Sequence, residues 1–578
     1  MMRKHSAAVG LFAMILAVFA NATAHAQASQ LTARVDAVFA LIDKKDSPGC
    51  ALAVVRRGEI VYKRGYGMAN LDYNIPITPE SNFYIASTSK QFTAFAVALL
   101  EHQGKLSLDD PIVKYFPELP ASVYGSVTVR HLIYHTSGIR DYFTLLNIAG
   151  KSDDDSFTHE DFLNLLGRQK ELNFNPGDQH LYSNSGYLLL AILVERLSGK
   201  SLREFTTDNV FRPLGMEHTF FRDDPTVIVH NRATGYSFEN GFYKFHATNF
   251  ALPGSGGLLT TVEDLFLWDR NFYQNKLGNG GSPVLAEIQT PGHLNSGKAL
   301  TYAFGLEITQ YKGLKMVEHA GASFGYRAQM IRFPDQQFSV ICLCNSDAIQ
   351  MSPERFAREV ADIYLHDEFK QEVSTGTETV SAERAPQIME EKPIQLPPSE
   401  LASRVGVFQN RETKTVWKLF VKEGKLNVAV ADLGIQIQPL THTRFRGTGD
   451  IPILVDFPVA DTGPKTVAVT LNGRQLTLDR VDTVSLSTQE LATYAGEFYS
   501  TELEVTYRFY VDRGELTLKT RNKKPTSLTP LGRDEFDAIG NRLNFERDAS
   551  GRISQFALDA GRVTNIHFVK MMKPPNPL

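Results

Sequence analysis

Two apolar runs, 51–55 and 60–66, flank the polar turn Arg56-Arg57-Gly58-Glu59 and predict a β-hairpin early in the chain. The extended segment Asn82-Phe83-Tyr84-Ile85-Ala86 then leads into a helix over 91–102. That helix carries Phe92, Phe95, Val97, Leu99 and Leu100 and stops at Gly104. The middle of the chain is helical as well, with a long apolar helix at about 187–197. Two further helix starts are marked by the capping-box patterns Ser201-Leu202-Arg203-Glu204 and Thr260-Thr261-Val262-Glu263. Strand-like runs return at 306–309, 316–319, 326–333 and 339–344, and a helix runs through about Leu365. A leading hairpin, a helical middle and trailing strands predict an antiparallel sheet covered by helices, an α/β (α+β) domain.

Past residue 370 the pattern changes. Residues 371–398 are polar and rich in Glu and Pro without apolar periodicity, which reads as a linker. Residues 399–578 contain an internal repeat. Leu401, Gly406, Phe408, Trp417, Val421, Gly424 and Leu426 recur as Leu491, Gly496, Phe498, Tyr507, Val511, Gly514 and Leu516, each 90 positions on. Short alternating strands with Gly turns, twice over, predict about eight strands, and closure into an all-β eight-stranded barrel would leave no sheet edge.

At 578 residues the chain is too long for a single core, and its 43% apolar and 21% charged residues are those of globular proteins. Residues 1–26 have the layout of a secretory signal: basic Arg3-Lys4-His5, an apolar stretch 7–20, and Ala24-His25-Ala26 as a cleavage site. The apolar stretch is too short to span a membrane, and no Cys at the cleavage point could carry a lipid. A periplasmic or secreted protein without a stable membrane anchor is expected. Removing Arg3 and Lys4 takes the formal charge from −4 to −6, which argues against nucleic acid as a partner. Of the three cysteines, Cys342 and Cys344 lie on one face of a strand, a poor geometry for a disulfide. Free buried thiols are the expected state, with pairing of Cys50 to one of them as the alternative.

The candidate chemistry begins at Ser87-Thr88-Ser89-Lys90, which puts a Ser and a Lys one turn apart at a helix start. A serine hydroxyl needs a base to take its proton, and a lysine can serve only where burial or charge favours its neutral form. Unpaired N–H groups and the helix dipole at such a terminus favour the negative charge of acyl transfer. Tyr182-Ser183-Asn184 follows the turn Asn175-Pro176-Gly177-Asp178 and precedes a helix. His319-Ala320-Gly321 ends an extended run.

The order Ser-x-x-Lys, Tyr-x-Asn, His-x-Gly, with gaps of 95 and 137 residues, resembles the penicillin-binding-protein and class C β-lactamase superfamily of serine hydrolases. The likeness runs over roughly residues 30 to 365 and includes 132–139, Pro213-Leu214-Gly215-Met216 and 256–261. It implies a β-lactamase-like domain over 27–370, and the C-terminal region looks like the lipocalin-like domains attached to some of these hydrolases. The resemblance implies Ser87 as nucleophile, Lys90 and Tyr182 as a coupled base and proton shuttle, and Asn184 as a group orienting Lys90 and the substrate. The oxyanion donors would be Ser87 N–H and the backbone at Ala322, with Gly321 letting the edge strand approach the substrate closely. No metal or organic cofactor is implied.

His319 departs from the Lys-Thr-Gly of β-lactamases and weakens the grip on a substrate carboxylate. The reading is therefore an exported hydrolase of small amides or esters, with D-amino-acid-containing peptides first, in the D-aminopeptidase- and esterase-like branch. A weakly catalytic protein that recognises penicillin or peptidoglycan is the alternative. Three other motifs offer competing chemistry. Gly321-Ala322-Ser323-Phe324-Gly325 fits a G-x-S-x-G elbow, but a strand rather than a helix follows it. His131 and His135 have i, i+4 spacing but lack the Glu of a zinc protease motif, and read as packing and turn residues. Arg140 could meet an anionic substrate or form a surface ion pair.

Overall fold

The computed structural model describes residues 29–571, apart from 153–154, 240, 247, 278–282, 349, 370–391, 412–414, 431–432, 449–452, 459–463 and 472–473. The signal-like segment 1–26 and most of the linker lie outside the described residues. The chain divides into two compact units. Among the described residues, the first holds those within 29–107, 187–293 and 298–369, and the second those within 108–186, 294–297 and 392–571.

The first unit is built on a six-stranded antiparallel sheet. Its strands are β1 (Cys50–Arg56), β2 (Glu59–Tyr66), β3 (Glu307–Tyr311), β4 (Leu314–Ser323), β5 (Tyr326–Phe333) and β6 (Phe338–Cys344), in the order β3-β4-β5-β6-β1-β2. The early hairpin is thus paired, through β1 and β6, with strands almost 300 residues later. Even-numbered positions on β1 and β6 (Cys50, Leu52, Val54, Val340, Cys342) pack with Phe356, Val360 and Ala361 of a helix, Pro353–Leu365. The opposite face meets another helix, Val262–Gln274, whose buried Asp269 accepts hydrogen bonds from Ser339 and Arg332. The period of two assigns successive side chains to opposite layers.

The cysteines differ from expectation. Register places Cys50 directly opposite Cys344, and the two form a disulfide, while Cys342 is free and buried. Same-face neighbours indeed stay unbonded, and the partner comes from the adjacent strand 294 positions away. Of the two capping boxes, that of Ser201 and Glu204 forms as written. At 260–263 the cap is one residue later, with Thr261 accepting from Asp264 N–H.

In the second unit the C-terminal region holds a closed eight-stranded antiparallel barrel, but the first repeat copy alone makes it, over 406–481. The second copy builds its own nine-stranded sheet over 496–570. Each copy opens with a short helix, Pro398–Ser403 or Thr488–Ala492, followed by a strand beginning at Gly406 or Gly496. The expected eight-stranded barrel is thus present, built by one copy of about ninety residues, and the second copy adds a sheet of its own. Phe408, Trp417, Leu426, Val428, Phe445 and Val469 fill the first barrel, which makes it a packed core. Phe498, Phe509, Phe545 and Phe556 stack edge to face in the second sheet. Among the described residues no helix is long and apolar enough to cross a membrane.

Candidate active site

Ser87 lies in a 3-10 turn, Ala86–Ser89, that runs directly into a buried α-helix, Lys90–His102. The turn is entered through Ala86 at φ +45, a left-handed conformation that costs a non-glycine residue about 1–2 kcal/mol. Ser89 Oγ donates to Ala86 O at 2.5 Å and accepts from Leu258 N–H, which holds the turn in that shape. Strain kept in place by neighbours is typical of a functional turn. Lys90 is fully buried, its Nζ lying 3.0 Å from Ser87 Oγ and donating to Ser255 O at 2.6 Å. The Tyr187 ring is 5.5 Å from the same nitrogen. The expected Ser–Lys pair is therefore in contact, and Ser255 O, which sequence reasoning missed, fixes where the lysine head sits.

The pairing of β3 with β4 stops at Glu318, so residues 319–323 continue along β4 without a β3 partner. This stretch lies against the Ser87 turn. Thr88 Oγ1 donates to His319 O at 3.3 Å, and a Cβ on Gly321 would come within 2.2 Å of Ile85 O. Only glycine allows that approach. Ala322 is exposed one residue further on. His319 is buried and both ring nitrogens are engaged: Nδ1 lies 2.7 Å from Ala320 O, and Nε2 3.0 Å from the Tyr302 hydroxyl. A carbonyl can only accept, so Nδ1 carries the proton and Nε2 accepts from Tyr302. Burial, with the Lys90 charge beside it, pushes the imidazole down to about 3, so it stays neutral at neutral pH. Ser323 ends β4 at the Phe324-Gly325 hairpin turn and is followed by strand β5, which removes the elbow reading.

Tyr182 and Asn184 belong to the second unit. Asn184 opens the helix Asn184–Ser198, and both its N–H and its side-chain amide donate to Asp141 Oδ2, at 2.7 and 2.8 Å. The buried Asp141 also caps the helix Tyr142–Ile148 by accepting from Thr144 N–H. The Tyr182 ring packs 4.1 Å from that of His135, a turn residue at φ +56 whose Nδ1 accepts from Ser183 N–H. His131 caps its own helix through Thr128, so the two histidines are packing and turn residues as read.

Arg140 is neither a substrate anchor nor a surface ion. Its guanidinium is 1% exposed and bonds Glu502 (2.7 Å, also 1% exposed), Glu171 and the carbonyl of Asn565. Glu502 and Asn565 come from the second repeat, and no local sequence signal near Arg140 pointed to them.

Residues 32–364 match the Beta-lactamase family. Over 327 residues the chain is 32% identical to a penicillin-binding protein of Bacillus subtilis (strain 168), spanning 53% of this chain and 69% of the relative. It is 30% identical over 310 residues to a D-aminopeptidase of Brucella ovis, where it spans only 58% of the relative's length. Among solved structures, the octameric penicillin-binding protein homologue from Pyrococcus abyssi aligns with a TM-score of 0.53 at 22% identity, over 78% of this chain and 99% of that one. The D-amino acid amidase from Ochrobactrum anthropi SV3 aligns at 0.51 and 21% identity, over 59% and 99%. These two alignments share the fold. With a Ser-x-x-Lys pair in contact at a strained helix start, and a family match over more than half its length, this chain belongs to the β-lactamase family of serine hydrolases.

Proposed function

We propose that the protein is an exported serine hydrolase that forms an acyl-enzyme through Ser87 and acts on small amides or esters, peptides containing D-amino acids first. The observation that carries the reading is the buried Lys90 Nζ 3.0 Å from Ser87 Oγ, with Gly321 closing the strand onto the same turn. Lys90, coupled to Tyr182 as the family order of motifs implies, takes the Ser87 proton as Oγ attacks the carbonyl. Tyr182 then passes a proton to the leaving amine or alcohol. Ser87 N–H and the backbone at Ala322 are the proposed oxyanion donors, and Asn184, fixed by Asp141, orients the substrate. Water entering after the leaving group departs releases the acid and restores Ser87.

His319 supports this substrate class. A neutral imidazole already bonded to Tyr302 and Ala320 offers no cation to a carboxylate beside the scissile bond. D-aminoacyl amides and anilides, and short esters, should turn over faster than cephalosporins or D-alanyl-D-alanine peptides, as measured by kcat/KM on the full chain. Rapid cephalosporin hydrolysis would sink this assignment. Penicillin labelling without turnover of any panel member would favour a penicillin-recognising binding protein instead. The similarity to a D-aminopeptidase supports the amide side of this choice.

A second test concerns the base. Lys90→Arg should lose at least about 10²-fold in kcat, nearly as much as Lys90→Ala, because a guanidinium stays protonated and cannot accept the Ser87 proton. Steady-state rates on the best ester decide it, and near-normal turnover in Lys90→Arg would exclude lysine as the base.

A further inference from the structure

The last hairpin of the second repeat, between strands Ile553–Ala560 and Val563–Lys570, reaches the loop that carries Tyr182. Its tip is Gly561-Arg562, with Gly561 in the left-handed region. Arg562 O accepts from Asn173 Nδ2 at 2.9 Å and from Asp141 N–H at 3.4 Å, and Thr564 N–H donates to Asn173 Oδ1 at 2.9 Å. The backbone of the tip is thereby tied to the segment 141–173. From this mount the Arg562 guanidinium lies over the Tyr182 ring, 4.7 Å from its centroid, and Nη1 lies 4.0 Å from Asp141 Oδ2. Its side chain remains 44% exposed, so solvent weakens but does not abolish its field.

We propose that Arg562 is a positioning residue of the hydrolase site, supplied by the C-terminal repeat: it holds the Tyr182 ring by stacking on its face and favours the phenolate with its charge. The C-terminal region is on this account a working part of the catalytic apparatus. The inference rests on Tyr182 sharing the Ser87 proton, as proposed above. The following groups surround Tyr182 among the described residues of this unit. His135 packs on its ring, and His180, whose imidazole burial shifts toward the neutral form, lies beside His135. Asp141 is already engaged by Asn184 and opposes part of the Arg562 charge, and the Arg562 guanidinium lies over the ring.

The sign is set by electrostatics. A cation near a phenol stabilises the phenolate, so removing it raises the pH at which the Lys90–Tyr182 pair becomes competent as a base. In Arg562→Gln the acid limb of the kcat/KM profile should move alkaline by about half a pH unit, the effect of one charge at near 5 Å in a solvent-like dielectric. The plateau kcat should fall about two- to fivefold, as loss of a stacked cation predicts, with KM within twofold. Arg562→Lys, which keeps the charge, should keep the limb. Tyr182→Phe separates the role of Arg562 from that of Tyr182. If it abolishes turnover while Arg562→Gln leaves the limb unmoved, or if Arg562→Lys shifts the limb as far as Gln does, the role of Arg562 is wrong. If Tyr182→Phe turns over normally, the assignment of Tyr182 itself has failed.

Discussion

Ser87→Ala should abolish covalent labelling by a fluorophosphonate and cut turnover by about 10⁴-fold or more, the scale expected when a nucleophile that acts as part of a unit is removed. The fold should survive. Oγ is a single atom in a turn whose shape is set by the Ser89 bonds and by the backbone of Ile85 and Ala86. Lys90 keeps Ser255 O as an acceptor when Oγ is gone, so the stability change should stay within about 1 kcal/mol. Ser323→Ala is the matched control. Ser323 sits at a strand–hairpin junction, and its loss should leave labelling intact. Intact-mass measurement of probe adducts reads both variants, and labelling that survived Ser87→Ala but vanished in Ser323→Ala would overturn the nucleophile.

The second large effect is on stability. Arg140 and Glu502 form an ion pair with each side chain 1% exposed, and removing one partner leaves a charge buried without its counter-ion. Arg140→Met should cost about 3–5 kcal/mol, lowering the calorimetric transition of the unit that contains it by roughly 10 °C. Glu171 is half-exposed and bonds the same guanidinium, so Glu502→Leu should cost less than Arg140→Met. The double variant should recover much of the loss, because apolar side chains of similar volume can fill the site without a desolvation penalty. A double-mutant cycle measures that coupling. Additive losses would mean that the pair is not coupled, and that packing alone explains the single variants.

Such a pair shows where sequence reading stops. The Ser–Lys spacing was legible because one helical turn dictates it: residues three apart share a face wherever the helix forms. Gly321 was singled out from the motif for close approach to a substrate, whereas the contact that requires glycine in the fold, Ile85 O at 2.2 Å from an added Cβ, comes from a segment far away in sequence. The strand run at 326–333 followed from alternation and that at 339–344 from a short apolar run, whereas the pairing of β6 with β1 that orders the sheet had no local signal.

What the sequence by itself determined, then, was everything carried by short-range periodicity: the hairpin, the helix bearing Lys90, the repeat and its period, and the motif order that marks the family. What only the tertiary structure decided were pairings between residues with no local reason to meet. Cys50 and Cys344 are 294 positions apart and Arg140 and Glu502 362 apart. Arg562 reaches Tyr182 only because the second repeat folds as a sheet of its own and turns its last hairpin toward that loop. The same holds for Arg140, which looked like a solvent-facing ion because nothing within a helical turn of it supplies its partner. Periodicity says which face of an element is buried, whereas the identity of what covers that face is set by long-range register and packing. A single chain records these only once it is folded.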